Sequence, residues 1–304
     1  MSAPAPRSAY PPPVGPILLR RLPVSAASGL VRLRAINYVI ADDELALLAI
    51  PDHGPGRTLP LLPGNLPETP AARKAHKPDF EALCRWPGDG LLALGSGSTA
   101  ARQRACLLRH VSEDMSSAPA EIQELAPLYA ELARHFPALN LEGAAVRGDA
   151  LVLLQRGNGP GNHSAIVLLD LAALLATVAA ERPWSAALLR SIARVELGEV
   201  GGAPLGFTDA SPLPDGSLIY VAAAEASPDT YHDGLVTGAA IGRLTPGGAR
   251  MWQTPLPTPL KLEGVHAELA GDSLLVWLVN DPDDRGTPAS LLHARLDANT
   301  GAWR

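Results

Sequence analysis

The sequence predicts an all-β fold, a five-bladed β-propeller closed by an N-terminal strand, and three observations carry that expectation. An acidic or hydroxyl residue opens a short apolar run five times, at Ser28, Glu81, Glu142, Asp209 and Glu263, with spacings of 53, 61, 67 and 54 residues. The period is that of one four-stranded blade with loop insertions. Four of the runs turn back through PGDG, RGDA, LPDGS or AGDS, the Gly/Asp hairpin chemistry that supplies positive φ. The fifth copy ends at Trp303 and Arg304 with no room for a fourth strand, while ILLRRL, Ile17–Leu22, is a strand candidate without a blade. Pairing these two ends would close the ring and remove its exposed edges.

In chain order, the first sixteen residues, MSAPAPRSAYPPPVGP, carry Arg7 but no apolar core segment, which predicts a disordered Pro-rich tail rather than a secretory signal. Residues 17–304 are expected to form a single domain. Copy one runs from Ser28 into INYVI ahead of Asp42 and Asp43, and its turn lacks the glycine of the others. Third strands are expected at Glu44–Ile50, Arg104–Val111, Ala165–Leu169, Val236–Leu244 and Ser290–Leu296. Fourth strands follow at Arg57–Leu62, Ile122–Leu125, Ile192–Leu197 and Met251–Leu256. Two short helical insertions interrupt this pattern. Glu124–Phe136 sets Leu128, Leu132 and Phe136 on one stripe with Pro127 in the first turn, and Leu169–Glu181 repeats the pattern behind Asp170 as N-cap.

Apolar residues at 47% and charged residues at 18% supply a core and exclude a disordered chain. A net charge of −6 leaves no basic footprint for a phosphate backbone, so nucleic acid is not an expected partner. The most apolar stretch, Ser164–Ala180, carries Asp170 in its middle and reads as a strand entering a helix, not a membrane span. Cys84 and Cys106 are the only cysteines, too few for a disulfide framework and in keeping with a reducing, cytoplasmic location. GSGSTA at 95–100 fits a dinucleotide fingerprint in spacing, but the repeat makes it a blade loop. DPDDRG at 281–286 starts like an EF-hand loop and lacks the closing Glu.

The first strand of each propeller blade lines the central channel, so Ser28, Glu81, Glu142, Asp209 and Glu263 are expected to form a ring there. Two carboxylates about 5 Å apart repel by roughly 3 kcal/mol at an effective dielectric near 20, so protonation or a cation must relieve the ring. An all-oxygen ligand set suits Ca²⁺ and not zinc. The second strands end on the same face. There Asp42, Arg156, Asn158, Glu225 and Asp281 are expected to surround the mouth with Lys77 and Lys261, as candidates for binding a small anionic molecule, with Arg156 the natural anion partner.

SGL at 28–30, FEAL at 80–83, LEGA at 141–144, GFTD at 206–209 and KLEGV at 261–265 resemble the blade motifs of the calcium-activated nucleotidase (apyrase) family. The run GFTDASPLPDGSLIYVAAAE, Gly206–Glu225, is the most specific part. The pattern is also similar to bacterial esterase-like phytase propellers and to related proteins of unknown function. The resemblance implies a five-bladed propeller with Ca²⁺ in its channel, held by Ser28, Glu81, Glu142, Glu263 and one of Thr208 and Asp209. The acidic ring beneath an Arg/Lys rim points to a calcium-dependent hydrolase of a phosphate ester or anhydride, with one of Glu81, Glu142 or Glu263 as general base. Recognisable nucleotide-binding loops are absent from the sequence. The alternative is a non-catalytic binding or scaffold propeller with a structural channel cation.

Overall fold

Each opener lies on a strand that pairs with the one after it, and the described residues build five sheets in sequence around one axis. The structure, a computed structural model, describes residues 15–158, 163–226, 235–257 and 260–304; the expected tail at 1–16 lies almost wholly outside the described residues. β1 (Ile17–Arg21) precedes the first blade, which comprises β2 (Ala27–Leu33), β3 (Ile36–Ala41), β4 (Ala46–Pro51) and β5 (Arg57–Pro60). Blade two is β6 (Phe80–Trp86), β7 (Gly90–Gly95), β8 (Arg104–Leu108) and β9 (Glu121–Glu124). Blade three is β10 (Leu141–Arg147), β11 (Ala150–Gln155), β12 (Ala165–Asp170) and β13 (Leu189–Arg194). Blade four gains a short fifth strand: β14 (Glu199–Val200) pairs with β15 (Ala203–Pro212), followed by β16 (Leu218–Ala226), β17 (Leu235–Leu244) and β18 (Arg250–Pro255). Blade five holds β19 (Leu262–Ala270), β20 (Ser273–Asn280) and β21 (Ser290–Asp297).

The missing outer strand of blade five is β1, which pairs antiparallel with β21 from Ile17 opposite His293 to Arg21 opposite Ser290. The ring is therefore closed by joining its two chain ends in one sheet, and the fold is a five-bladed β-propeller. Blades stack face to face, which is why inner strands such as β3, β7 and β11 are buried at every position. Their sequences are near-continuous apolar runs, with Asn37 and Gln155 as buried exceptions, instead of the alternation of a half-solvated sheet. Five buried clusters fill the five gaps between neighbouring blades.

Among the described residues three α-helices decorate the outside where two were expected. α1 (Pro70–His76), between blades one and two, has no apolar stripe and so left no helical signal in the sequence. It is held instead by Arg73, which donates to Asp43 and Glu44 at 3.0 and 2.9 Å. α2 (Ala126–Leu132) and α3 (Leu171–Ala179) are shorter than expected: β9 and β12 take leading residues, and both helices also stop before Phe136 and Glu181. Leu128, Leu132, Leu174 and Val178 pack into the cluster between blades two and three. Asp170 caps α3, its side chain accepting the Ala173 N–H at 2.8 Å. Among the described residues no helix is long and apolar enough to cross a membrane.

Candidate channel site

In every blade the opener-bearing strand slips by one residue against the second strand, near the start of β2, β6, β10 and β19 and midway along β15. The extra residues are Ser28, Glu81, Glu142, Thr208 and Glu263. A bulge of this kind turns the unpaired residue out of the ladder and re-aims its side chain. Four of the five, Ser28, Glu81, Glu142 and Glu263, line one cavity at the channel mouth. The fourth blade departs from the expected ring, because its bulged residue is Thr208 and not Asp209. Thr208 behaves as Ser28 does: each hydroxyl donates to the carbonyl just before the next blade's opener, Ser28 to Phe80 at 2.5 Å and Thr208 to Leu262 at 2.6 Å.

Asp209 lies one position deeper, in a tier otherwise made of Gly29, Ala82, Gly143 and Gly264. Backbones crowd together at this depth. A Cβ on Gly143 would lie 3.0 Å from the Asp209 Cα, and one on Gly264 would lie 2.9 Å from the Leu30 nitrogen. The Asp209 carboxylate accepts the Ala210 N–H at 2.8 Å and the Val265 N–H at 2.9 Å, with a third amide bond from Leu30. Burial pushes its pKa up while those amides pull it down. Its oxygens are committed to peptide groups of three blades, so it ties the inner strands together and does not join the mouth.

At the mouth the acids are met by the protein's own cations. One nitrogen of Arg156 donates to both oxygens of Glu142 at 2.8 Å, and its other terminal nitrogen stands 2.7 Å from Glu225 outside hydrogen-bond geometry. Lys261 lies 3.4 Å from Glu263, 3.6 Å from Glu225, 3.7 Å from Asp281 and 2.7 Å from Asp283. Lys77 pairs with Asp42 and, at 2.9 Å, with Asp79. Arg102 takes the other Asp79 oxygen at 2.8 Å. Asn140 donates to Glu142 at 2.5 Å and reaches Asn158 at 3.5 Å. Burial works against the charge on Arg156 and Lys261, yet the surrounding carboxylates outweigh it and raise both pKa values.

The structure thus brings Asp42, Lys77, Glu81, Glu142, Arg156, Asn158, Glu225, Lys261, Glu263 and Asp281 around one small cavity and leaves Asp209 out of it. Sequence reasoning missed Asp79, Arg102 and Asn140. Two of these had a signal: the residue two before each bulged residue is Ala26, Asp79, Asn140, Gly206 or Lys261, a second repeat-equivalent position that is polar in three blades. Its carbonyl takes the N–H of the residue after the second strand in four blades, Ala26 from Asp42, Asp79 from Ser96, Asn140 from Arg156 and Lys261 from Asp281. That bond places the second-strand ends at the mouth. Arg102 sits on a short helical turn outside the repeat and had no such signal.

The expected five-residue calcium ring does not fit this geometry, because Glu142 and Glu263 are held by Arg156 and Lys261 and Asp209 is bonded to amides. A closer group of three carboxylates remains, although two of them, Asp42 and Asp79, are themselves paired with Lys77 and Arg102. Asp42, Asp79 and Glu81 bring one carboxylate oxygen each to within 4.8 Å of one another. Among the described residues Glu81 makes no hydrogen bond or ion pair; Lys77 acts on it only through space. Burial, with Asp79, Asp42 and Glu142 nearby, raises the Glu81 pKa well above the usual carboxylate range. Burial likewise pushes Asp42 up to about 7, with Lys77 pulling it down and Asp79 adding to the rise.

Fold and site together define a class: a five-bladed propeller with a lattice of buried ion pairs at one end of its channel. The chain belongs to DUF6929, a family of unknown function whose model matches residues 23–296. No curated protein matches it. Among solved structures, an exo-1,5-α-L-arabinanase from a bovine ruminal metagenomic library is similar at 8% identity and a TM-score of 0.52, over 92% of this chain and 96% of that one. A glycosyl hydrolase from Bacteroides ovatus is similar at 8% identity and a TM-score of 0.48, over 98% and 95%. A chain of the nidogen/laminin complex reaches 13% identity and a TM-score of 0.46, over 85% and 76%. At these identities the likeness is one of fold alone.

Proposed function

We propose that the protein is a calcium-dependent, hydrolase-like propeller that acts at its channel mouth on a small anionic ester or anhydride. The observation that carries the reading is the Asp42, Asp79 and Glu81 cluster, three carboxylates within 4.8 Å, of which Glu81 has no partner among the described residues. The blade motifs that resemble the apyrase and phytase propellers support it. Asp42, Asp79 and Glu81 would hold Ca²⁺, an ion that takes oxygen ligands and completes its coordination with water. A bound cation would supply charge that polarises a phosphoryl or acyl oxygen. The cavity of ≈ 90 Å³ is the size of about three water molecules at ~30 Å³ each, so it admits an ion and a reacting group, with the rest of a substrate outside. Glu142 and Glu263 are neutralised by Arg156 and Lys261, which leaves Glu81 as the ring carboxylate open to a cation.

A second reading is favoured by one feature. Lys77, Arg102, Arg156 and Lys261 are all already paired with carboxylates, so capture of an anion requires one of them to be drawn away. On this reading the cation only neutralises the mouth and stiffens the ring. Titration calorimetry with Ca²⁺, alongside hydrolysis of nucleoside diphosphates, phytate and aryl esters with and without chelator, separates the two. The hydrolase reading expects chelator-sensitive turnover of one panel member, and Glu81→Gln should weaken Ca²⁺ by roughly 10- to 100-fold. Binding without turnover would leave the structural reading standing. Absence of any Ca²⁺ heat at millimolar concentration would end both.

A further inference from the structure

Beyond the tier of Asp209 the channel widens again toward the opposite face, in a half that the proposed function leaves unused. Two tiers of inner-strand side chains from all five blades enclose a cavity of ≈ 670 Å³ there. It shares no lining residue with the charged mouth. Its space comes from blades three and four, where Ala144 and Ala210 occupy the places held by Leu30 and Leu83 in blades one and two. The inner end is sealed by the crowded backbones and by the Asp209 carboxylate, bonded to amides of β15, β19 and β2.

The walls are apolar apart from a few groups whose pairing is informative. Arg85 at the rim is bonded to Asp89 at 3.1 Å, and Asp89 also pairs with Arg34 at 2.8 Å, so these rim charges are paired. Burial lowers the pKa of His266, while Glu268, 3.3 Å from its Nε2, pulls it the other way. Ser211 is 2% exposed and its Oγ accepts the Ala267 N–H at 3.0 Å, but among the described residues nothing accepts the hydroxyl's own proton. A buried hydroxyl normally uses that proton, and leaving it unused is unfavourable. Small-molecule sites run to about 300–1,000 Å³ with apolar walls and a few placed polar groups.

We propose that this cavity is a second binding site, for a neutral and largely apolar small molecule with one hydrogen-bond acceptor. Its body would rest on the tier of Ala144 and Ala210 and its acceptor would take the Ser211 hydroxyl. A charged or polyhydroxylated ligand is disfavoured, because the walls offer too few partners for it.

Nile red, a neutral polycyclic dye with a ring carbonyl, is a suitable probe, and Trp86 in the cavity wall provides an energy-transfer signal. The full chain is expected to bind it at one saturable site with blue-shifted emission and quenching of tryptophan fluorescence. Val146 is half-buried on the cavity wall, and Val146→Trp should fill the space and weaken the dye tenfold or more. Ser211→Ala should weaken it by about two- to tenfold, the worth of one hydrogen bond. Circular-dichroism melts establish that both variants fold. No saturable binding to the native chain, or native affinity in Val146→Trp, overturns the site. Loss in Val146→Trp with native affinity in Ser211→Ala overturns the hydrogen-bonded pose.

Discussion

Arg156 is the residue on which the mouth most depends, because it neutralises Glu142 and Glu225 together while 6% exposed. Removing one partner of a buried ion pair leaves the other charge stranded, typically at a cost of about 3–5 kcal/mol. Arg156→Met should therefore lower unfolding stability by roughly that amount in urea titrations, and adding Glu142→Gln to it should restore part of the loss. A single variant as stable as the native protein would mean that the pair breaks even. The identity of most mouth residues was legible in the sequence, since repeat-equivalent positions meet on one axis by construction. Asp209 was not. A bulge moves one side chain by one position without leaving a compositional trace, so Thr208 and Asp209 could be told apart only once the register with β16 was known.

Among the elements, legibility followed local chemistry. The hairpins with Gly/Asp turns were readable, whereas the β2–β3 hairpin turns through Arg34 and Ala35 at φ of 50° and 60° with no glycine to announce it. Arg34 is held there by a 2.8 Å bond to Asp89 and by the Val111 carbonyl, contacts from blade two that a sequence does not display. Ala35 has no comparable side-chain anchor, and an L-residue in the left-handed region costs about 1–2 kcal/mol relative to its usual conformation. Ala35→Gly is accordingly expected to stabilise the protein by about 1 kcal/mol, less whatever entropy the more flexible unfolded chain regains. A lowered thermal midpoint in this variant would show that the turn is not strained. α2 and α3 were visible through their apolar stripes, and α1 was hidden because ion pairs, not burial, fasten it.

At the scale of the whole molecule, closure was the feature most directly encoded: a blade lacking its last strand at one end of the chain and a strand lacking a blade at the other. The physical reason is that an open array leaves two unpaired sheet edges, and joining the ends removes the need for them. β1 contributes little side-chain packing, with Ile17, Leu18 and Leu19 each 45–50% exposed. Its effect comes from its backbone ladder to β21 and from tying the first segment of the chain to the last. A chain begun at Leu22 should consequently melt at least ~5 °C lower than one begun at Gly15, since about 1 kcal/mol corresponds to some 2–4 °C in a domain of 150–250 residues and a lost strand exceeds that. It should also self-associate through the bared edge of β21, seen as a larger species in sedimentation, while the chain begun at Gly15 keeps the native behaviour. Equal melting points and equal sedimentation for the two would show that blade five is stable with three strands and that the seal is dispensable.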